Sequence, residues 1–314
     1  MRCLSVGWIW VLLLFFIFSC ADEPERQAPG RTRFYEGVIH VSCDETFRPV
    51  MDAQVQVYEA LYPDTKIIMH YKPEAECFKD FLVDSIKMVI TTRQISKAEE
   101  ELIADSLKVG AEQLVVARDL IAVIIHPAAA DSFFSVQELQ ELLTGKSKKD
   151  LIPVFDGTKE TSTVRFMIDS VLKGKALGKN VVAAESSVGV IDYVSKTPNA
   201  VGFVGYSWIG NQDDTTQRSY MRKVKTAYIE STDSAGAYVK PSQFFIYTRS
   251  YPMVRDLVYV VKERNDYGLA HAFAQFLNKG DKGQLIFRRA YLMPVNRPSY
   301  IRDAELTNGI DKFK

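Results

Sequence analysis

GVIHVSCDETFRPVMDAQVQVYEALYPDTKIIMH, residues 37–70, decides the fold. Gly37 to Cys43 reads as a strand, and FRPVMDAQVQVYEALYP carries apolar residues at Val50, Val55, Tyr58 and Leu61, as a helix does. KIIMHY is strand-like again, and the helical EAECFKDFLVDS and strand-like IKMVITT repeat the unit. This βαβαβ order implies a mostly parallel sheet with helices on its faces.

Working toward the C-terminus, LIAVIIHP is a continuous apolar strand of the kind buried on both faces. In SVQELQELLTGK, Ser135 and Glu138 form a capping box and Gly145 closes the helix. IPVFDGT, a hydroxyl-led helix, SSVGVIDYVSKT and the strand AVGFVGYSWI make a second set of the same kind. NQDDTTQRSYMRK is a polar excursion. SQFFIYTR and DLVYVVKE read as paired strands around a turn at Ser250 to Pro252, followed by the amphipathic helix GLAHAFAQFLNKG and the tail GQLIFRRAYLMPVNRP. The chain is too long for most single-core domains. With LIAVIIHP and QFFIYTR as two crossings, one lobe takes residues 37–117 and 248–314 and the other takes 118–247.

Working toward the N-terminus, an apolar run from Val6 to Phe18 is too short to span a bilayer and fits a secretory signal over residues 1–19. IFSC resembles a bacterial lipobox, which implies cleavage before Cys20 and lipid attachment to its sulfur. Residues 20–36, polar and rich in Pro and charge, read as a tether. Asp22, Glu23 and Glu25 resemble the acidic export signal of surface lipoproteins of Bacteroidetes, and they equally suit a solvated linker. The expected location is the cell envelope, with the lipid on Cys20 as the membrane contact. The outer membrane, at its periplasmic face or surface, is favoured over the inner.

The 39 basic and 39 acidic residues balance, so nothing points to nucleic acid as a partner. Cys43 and Cys77 remain after Cys3 and Cys20, an even pair in an oxidising compartment. Parallel βαβ order sets both at one edge of the crevice, so a Cys43–Cys77 disulfide is expected there, the alternative being two reduced thiols in separate packing sites. His40, His70, His126 and His271 are scattered in apolar context, so no metal site is expected. No nucleophile–base pair or carboxylate cluster of metal type stands out, and neither an enzyme nor a cofactor is expected.

FDGTKETSTVRFMIDSVLKGK, Phe155 to Lys175, opens a helix with Thr161, Ser162 and Thr163 in a row. One hydroxyl suffices to cap; three beside free N–H groups and the positive end of the dipole also describe an anion site. Helix starts gather at the carboxyl ends of βαβ strands, so Thr46 and Phe47, then Thr91 and Thr92, would converge there with Thr161 to Thr163.

In order and spacing, these pieces resemble the type II periplasmic binding proteins, specifically the phosphate-binding components of ABC importers. Thr46-Phe47 resembles the family's first ligand loop, TSTVRF its S-G-T-R anion loop, TPNAVGFVGY its T-P-G-A-I-G-Y turn, and GDKGQLIFRRAYLMPV its tail. The resemblance implies an α/β fold of two lobes, each a mostly parallel sheet flanked by helices, with the ligand cleft between them. Three departures stand out. PEAEC (Pro73–Cys77) replaces a Gly-Ser-Ser-Gly element, the acidic residue after the third strand falls on Thr92, and the arginine ahead of the anion loop is missing. Arg93 and Arg165 add charge beside the same loops, Arg165 either as a bidentate fork or as a surface arginine. Asp44 and Glu45 either replace the missing acceptor carboxylate or cap the next helix. The implied function is binding of phosphate or a similar oxyanion for an ABC permease. The alternative is an envelope sensor or adaptor that signals through protein contact, with altered or lost ligand.

Overall fold

The computed structural model describes residues 34–157 and 161–296. The signal, most of the tether and Cys20 lie outside them.

β1 (Gly37–Asp44) leads through a 3-10 turn, Glu45–Phe47, into α1 (Arg48–Leu61), and β2 (Thr65–Lys72) returns parallel to β1. Pro49 sits in the first turn of α1, where its missing N–H is not needed. Val50, Met51, Gln54 and Tyr58 bury one face of that helix. After α2 (Glu74–Lys79), β3 (Ile86–Thr91) joins the other side of β1, again parallel. α3 (Lys97–Leu107) opens on a Ser96–Glu99 capping box. β4 (Glu112–Ile125) is buried continuously from Asp119, as a strand covered on both faces must be.

A second set follows. It comprises β5 (Phe133–Phe134), α4 (Val136–Leu143), β6 (Ile152–Phe155), α5 (Ser162–Phe166), β7 (Val182–Ala183), α6 (Ser187–Lys196) and β8 (Ala200–Gly205). The Ser135–Glu138 capping box is present on α4, and Gly145 takes φ 72° beyond its end. Then come α7 (Thr215–Lys223), β9 (Lys225–Thr226), β10 (Tyr228–Glu230), β11 (Tyr238–Val239) and α8 (Gln243–Thr248). β12 (Val254–Val261), α9 (Leu269–Lys279), α10 (Asp281–Arg289) and β13 (Met293–Pro294) complete the described chain.

The main sheet runs β2-β1-β3-β12-β4-β8-β6-β7. Each half places its first strand between the next two, β2-β1-β3 and β7-β6-β8, and all four of those pairings are parallel. β4 and β12 run antiparallel to each other between the halves. One buried cluster spans Leu120 to Met253; another draws on 39–117 and 257–292. The chain therefore passes from one core to the other along β4 and back along β12. The fold is α/β with two lobes, each a largely parallel sheet flanked by helices.

QFFIYTR is not a strand. Its residues form α8, with Ser242 accepting a hydrogen bond from the Phe245 N–H at 3.4 Å. Over six residues an aromatic-rich helix face and a strand face look alike, and the cap decides. β12 makes the return crossing instead.

The Cys43–Cys77 disulfide is also absent, both residues being buried free thiols. Cys43 packs with Val41, Met88 and Ile90, whereas Cys77 packs with Val89 and Val260. Met88 and Ile90 alternate with Val89 along β3, so the two clusters occupy opposite faces of the sheet. Being at one edge of the crevice does not bring the sulfurs together.

Candidate functional site

The carboxyl ends of β1, β3, β6 and β8 meet where the chain crosses between lobes. At the floor lies an ion pair from the crossing strands, set in register as Arg255 opposite Asp119. Arg255 Nη2 and Nε donate to Asp119 Oδ2 at 3.0 and 3.2 Å. Its Nη1 donates to Ser162 Oγ at 2.9 Å and to Thr163 Oγ1 at 3.4 Å. The guanidinium lies 5.2 Å from the Phe47 ring centroid, so Phe47 shields it rather than contributing a polar contact. Asp119 is fully buried; burial pushes its carboxyl up and Arg255 pulls it back.

Hydroxyls from both lobes close over this pair. Thr46 Oγ1 and Ser162 Oγ are 3.4 Å apart, and Ser207 Oγ donates to the Thr46 carbonyl at 3.0 Å. Gly205 ends β8 beneath them; a Cβ there would stand 2.5 Å from Thr46 Cγ2 and 3.0 Å from Arg255 Nη2. Thr161 caps α5, accepting from the Val164 N–H at 3.3 Å and donating to Asp156 Oδ1 at 2.8 Å. Asp44 accepts the Thr46 N–H on Oδ1 at 3.1 Å, while its buried Oδ2 has no hydrogen-bond partner among the described residues. Burial and the charge of Glu74, against the pull of Arg255, push the Asp44 carboxyl up to about 7.

The rim is held by a carboxylate. Glu74, from the PEAEC segment, accepts the Thr92 N–H at 2.8 Å and the Thr92 hydroxyl at 2.6 Å on Oε1. Arg165 Nε donates to Glu74 Oε2 at 2.6 Å, and Arg165 Nη2 donates to Thr92 Oγ1 at 2.6 Å. Burial alone would raise Glu74, but the bonds from Arg165 and Thr92 outweigh it and hold the carboxyl below its usual range. Nearby, Ser187 Oγ donates to Glu45 Oε2 at 3.1 Å, another contact between the lobes. Asp44, Glu45, Glu74 and Asp119 thus share the cleft with two guanidiniums, and hydroxyls supply most of the remaining polar groups.

Of the residues expected from sequence, Thr46, Phe47, Thr92, Thr161, Ser162, Thr163 and Arg165 come together. Thr91 is buried beside them, but its hydroxyl donates to the Arg93 carbonyl at 3.1 Å and closes the turn after β3. Arg93 does not join: its Nη1 and Nη2 bind Glu99 at 2.9 and 2.7 Å, and its guanidinium lies 3.8 Å from the Phe78 ring centroid. One residue past Thr92, the chain has turned away from the cleft. Arg255, Asp119, Glu74, Ser187 and Gly205 escaped the sequence reading. The available signal was a charged residue inside each of two apolar strands, ARDLIAVII and VRDLVYVV, since a charge in such a place needs a partner.

A family model described as a PBP superfamily domain matches residues 23–279. The phosphate-binding protein PstS of Borreliella burgdorferi is 17% identical over 299 residues, covering 90% of this chain and 96% of its own. Among solved structures, a candidate phosphate ABC transporter substrate-binding protein with bound phosphate from Clostridium perfringens superposes with TM-score 0.67. It is 18% identical and covers 83% of this chain and 100% of that one. An ABC-type phosphate transport receptor from Vibrio cholerae gives TM-score 0.60 at 15% identity, covering 82% of this chain and all of its own.

Proposed function

The chain belongs to the PBP superfamily, and from that premise we propose that it is a lipid-anchored solute-binding protein that takes phosphate or a similar oxyanion between its lobes for an ABC importer. The observation that carries this reading is Asp44 Oδ2, buried and without a hydrogen-bond partner among the described residues, in a site that also holds the Arg255 guanidinium and the hydroxyls of Thr46, Ser162 and Thr163. Hydrogen phosphate brings a charge for the guanidinium and an O–H for the carboxylate; sulfate brings only the charge. Asp44 thereby takes over the acceptor role that Thr92 cannot fill. The printed names of the relatives support phosphate as the ligand class.

In this reading Thr46, Phe47, Thr92, Thr161, Ser162, Thr163 and Arg165 line the ligand together with Asp44 and Arg255. The lobes part within the crossing strands β4 and β12, and Cys20 carries the lipid at the outer membrane. Calorimetric titration with phosphate, sulfate and molybdate tests it. Phosphate binding with a preference over sulfate that grows from about pH 6 to pH 8, as Asp44 ionises, is the expected result. No heat from any of the three would sink the proposal.

A second reading, an envelope sensor or adaptor, is favoured by the Glu74–Arg165–Thr92 cluster. A carboxylate of one lobe already satisfies the guanidinium of the other, so closure needs no ligand. Glu74→Gln separates the two readings: it raises phosphate affinity in the first, and in the second it opens the lobes, seen by small-angle scattering, without creating phosphate binding.

A further inference from the structure

A cavity of about 400 Å³ opens at the rim, with Thr92, Arg165 and Arg255 on its inner side and Arg118 and Arg249 farther out. Phe166, Tyr251 and Pro252 add apolar wall. Its volume falls within the roughly 300–1,000 Å³ of sites that take organic ligands, and a lone tetrahedral oxyanion would leave most of it empty.

The four guanidiniums are not equally committed. Arg255 spends its nitrogens on Asp119, Ser162 and Thr163. Arg165 spends its nitrogens on Glu74, Thr92 and Asp169. Arg118 pairs through Nε alone, with Asp256 at 3.2 Å, and Arg249 has no carboxylate partner among the described residues. Asp256 is the one carboxylate among the described residues lining the cavity. The donors left over therefore belong to Arg118 and Arg249, which share one cavity and bear like charge. Two planar forks facing a common space suit a second acidic group on the ligand, a carboxylate above all.

Building on the oxyanion reading above, we infer that the ligand is an organic phosphate carrying a second acidic group. Its phosphoryl group takes the cleft, and its organic remainder lies along Phe166 and Tyr251 toward Arg118 and Arg249. The inner site supplies charge recognition and the cavity supplies selectivity for the remainder.

The test is calorimetry on the full chain with three probes: inorganic phosphate, glycerol 3-phosphate and 2-phosphoglycolate, the last combining a phosphate ester with a carboxylate. The expected order is phosphoglycolate tightest and inorganic phosphate weakest, with about ten-fold or more between phosphoglycolate and glycerol 3-phosphate. Arg249→Asn, chosen because Asn tolerates the left-handed φ of 59° at this position, should collapse that ratio toward one. Inorganic phosphate binding as tightly as both esters overturns the inference and leaves the oxyanion reading standing. No binding of any probe overturns both. A ratio that Arg249→Asn leaves unchanged removes the second acidic group from this cavity. Should that variant fail to fold, the order of the three probes on the unaltered chain still decides the matter.

Discussion

Arg-Asp-Leu occurs on both crossing strands, at 118–120 and at 255–257, and antiparallel register sets each arginine opposite the other strand's aspartate. Identical letters nevertheless make two different ion pairs. Arg255–Asp119 closes at 3.0 Å with both side chains 1% exposed; Arg118–Asp256 closes at 3.2 Å with side chains 34% and 46% exposed. Both arginines line one cavity at different depths, with the inner pair in the cleft floor and the outer at the rim. A buried pair needs further partners for its donors, and Arg255 finds them in Ser162 and Thr163. The comparison teaches that burial gives a motif its role. The inner pair positions hydroxyls, and the outer keeps donors available.

The largest effect should come from Arg255→Ala. It strands Asp119 in a dry site, and breaking a buried pair costs about 3–5 kcal/mol. Urea unfolding should show that loss together with loss of phosphate binding. Replacing both partners, Arg255→Met with Asp119→Leu, should restore much of the stability and none of the binding. A single-variant loss below about 1 kcal/mol would mean that the two pairs do not differ.

Asp44 tests the neighbourhood of the inner pair through pH. Burial, and then the charge of Glu74, push its folded carboxyl up to about 7, above the roughly 3.9 of an unfolded chain. The folded state therefore holds a proton that the unfolded state gives up. The resulting stabilisation is complete below about pH 4 and is lost as pH rises through about 7. Stability should fall by on the order of 1–3 kcal/mol between about pH 5 and pH 8, and Asp44→Asn should flatten the dependence. A profile identical in the variant would assign the titration elsewhere.

Gly205→Ala probes the contact between the lobes directly above the inner pair. The new methyl would stand 2.5 Å from Thr46 Cγ2, and overpacking of that kind costs about 1–3 kcal/mol, or pries the lobes apart at a smaller cost. Unfolding midpoints and scattering radii together distinguish the two. Normal values for both would show that Thr46 has room to move.

The parallel units were legible because each helix and strand repeats its own hydrophobic period over enough residues, as α1 and β1 do. α8 was not legible, because six residues rich in Phe and Tyr fit either period until Ser242 is seen to cap them. Thr46 and Thr161 to Thr163 could be read from hydroxyls at helix starts, since a helix start is a local feature. Arg255 was not read, because its partner lies 136 residues away in sequence, and a charge inside an apolar strand shows that a partner is needed without saying which. Glu74 was hidden in a segment that similarity marked only as altered. Arg93 shows the converse limit: adjacency to Thr92 in sequence says nothing about the direction of its side chain.

The smallest effect, and the sharpest contrast with Arg255, should come from Asp256→Asn at the outer pair. Both of its side chains stand in water, where an ion pair contributes about 0.2–1 kcal/mol, so unfolding should shift by less than about 1 kcal/mol. The same change removes the carboxylate that opposes Arg118 in the rim cavity and leaves the guanidinium wholly available. Phosphoglycolate should then bind a few-fold more tightly at low salt, and the gain should shrink toward 1 M salt, where the screening length falls to about 3 Å. Two outcomes would break the comparison. A destabilisation as large as that of Arg255→Ala would mean that register, and not burial, sets the value of a pair. An unchanged, salt-independent affinity would mean that Arg118 does not face the ligand at all.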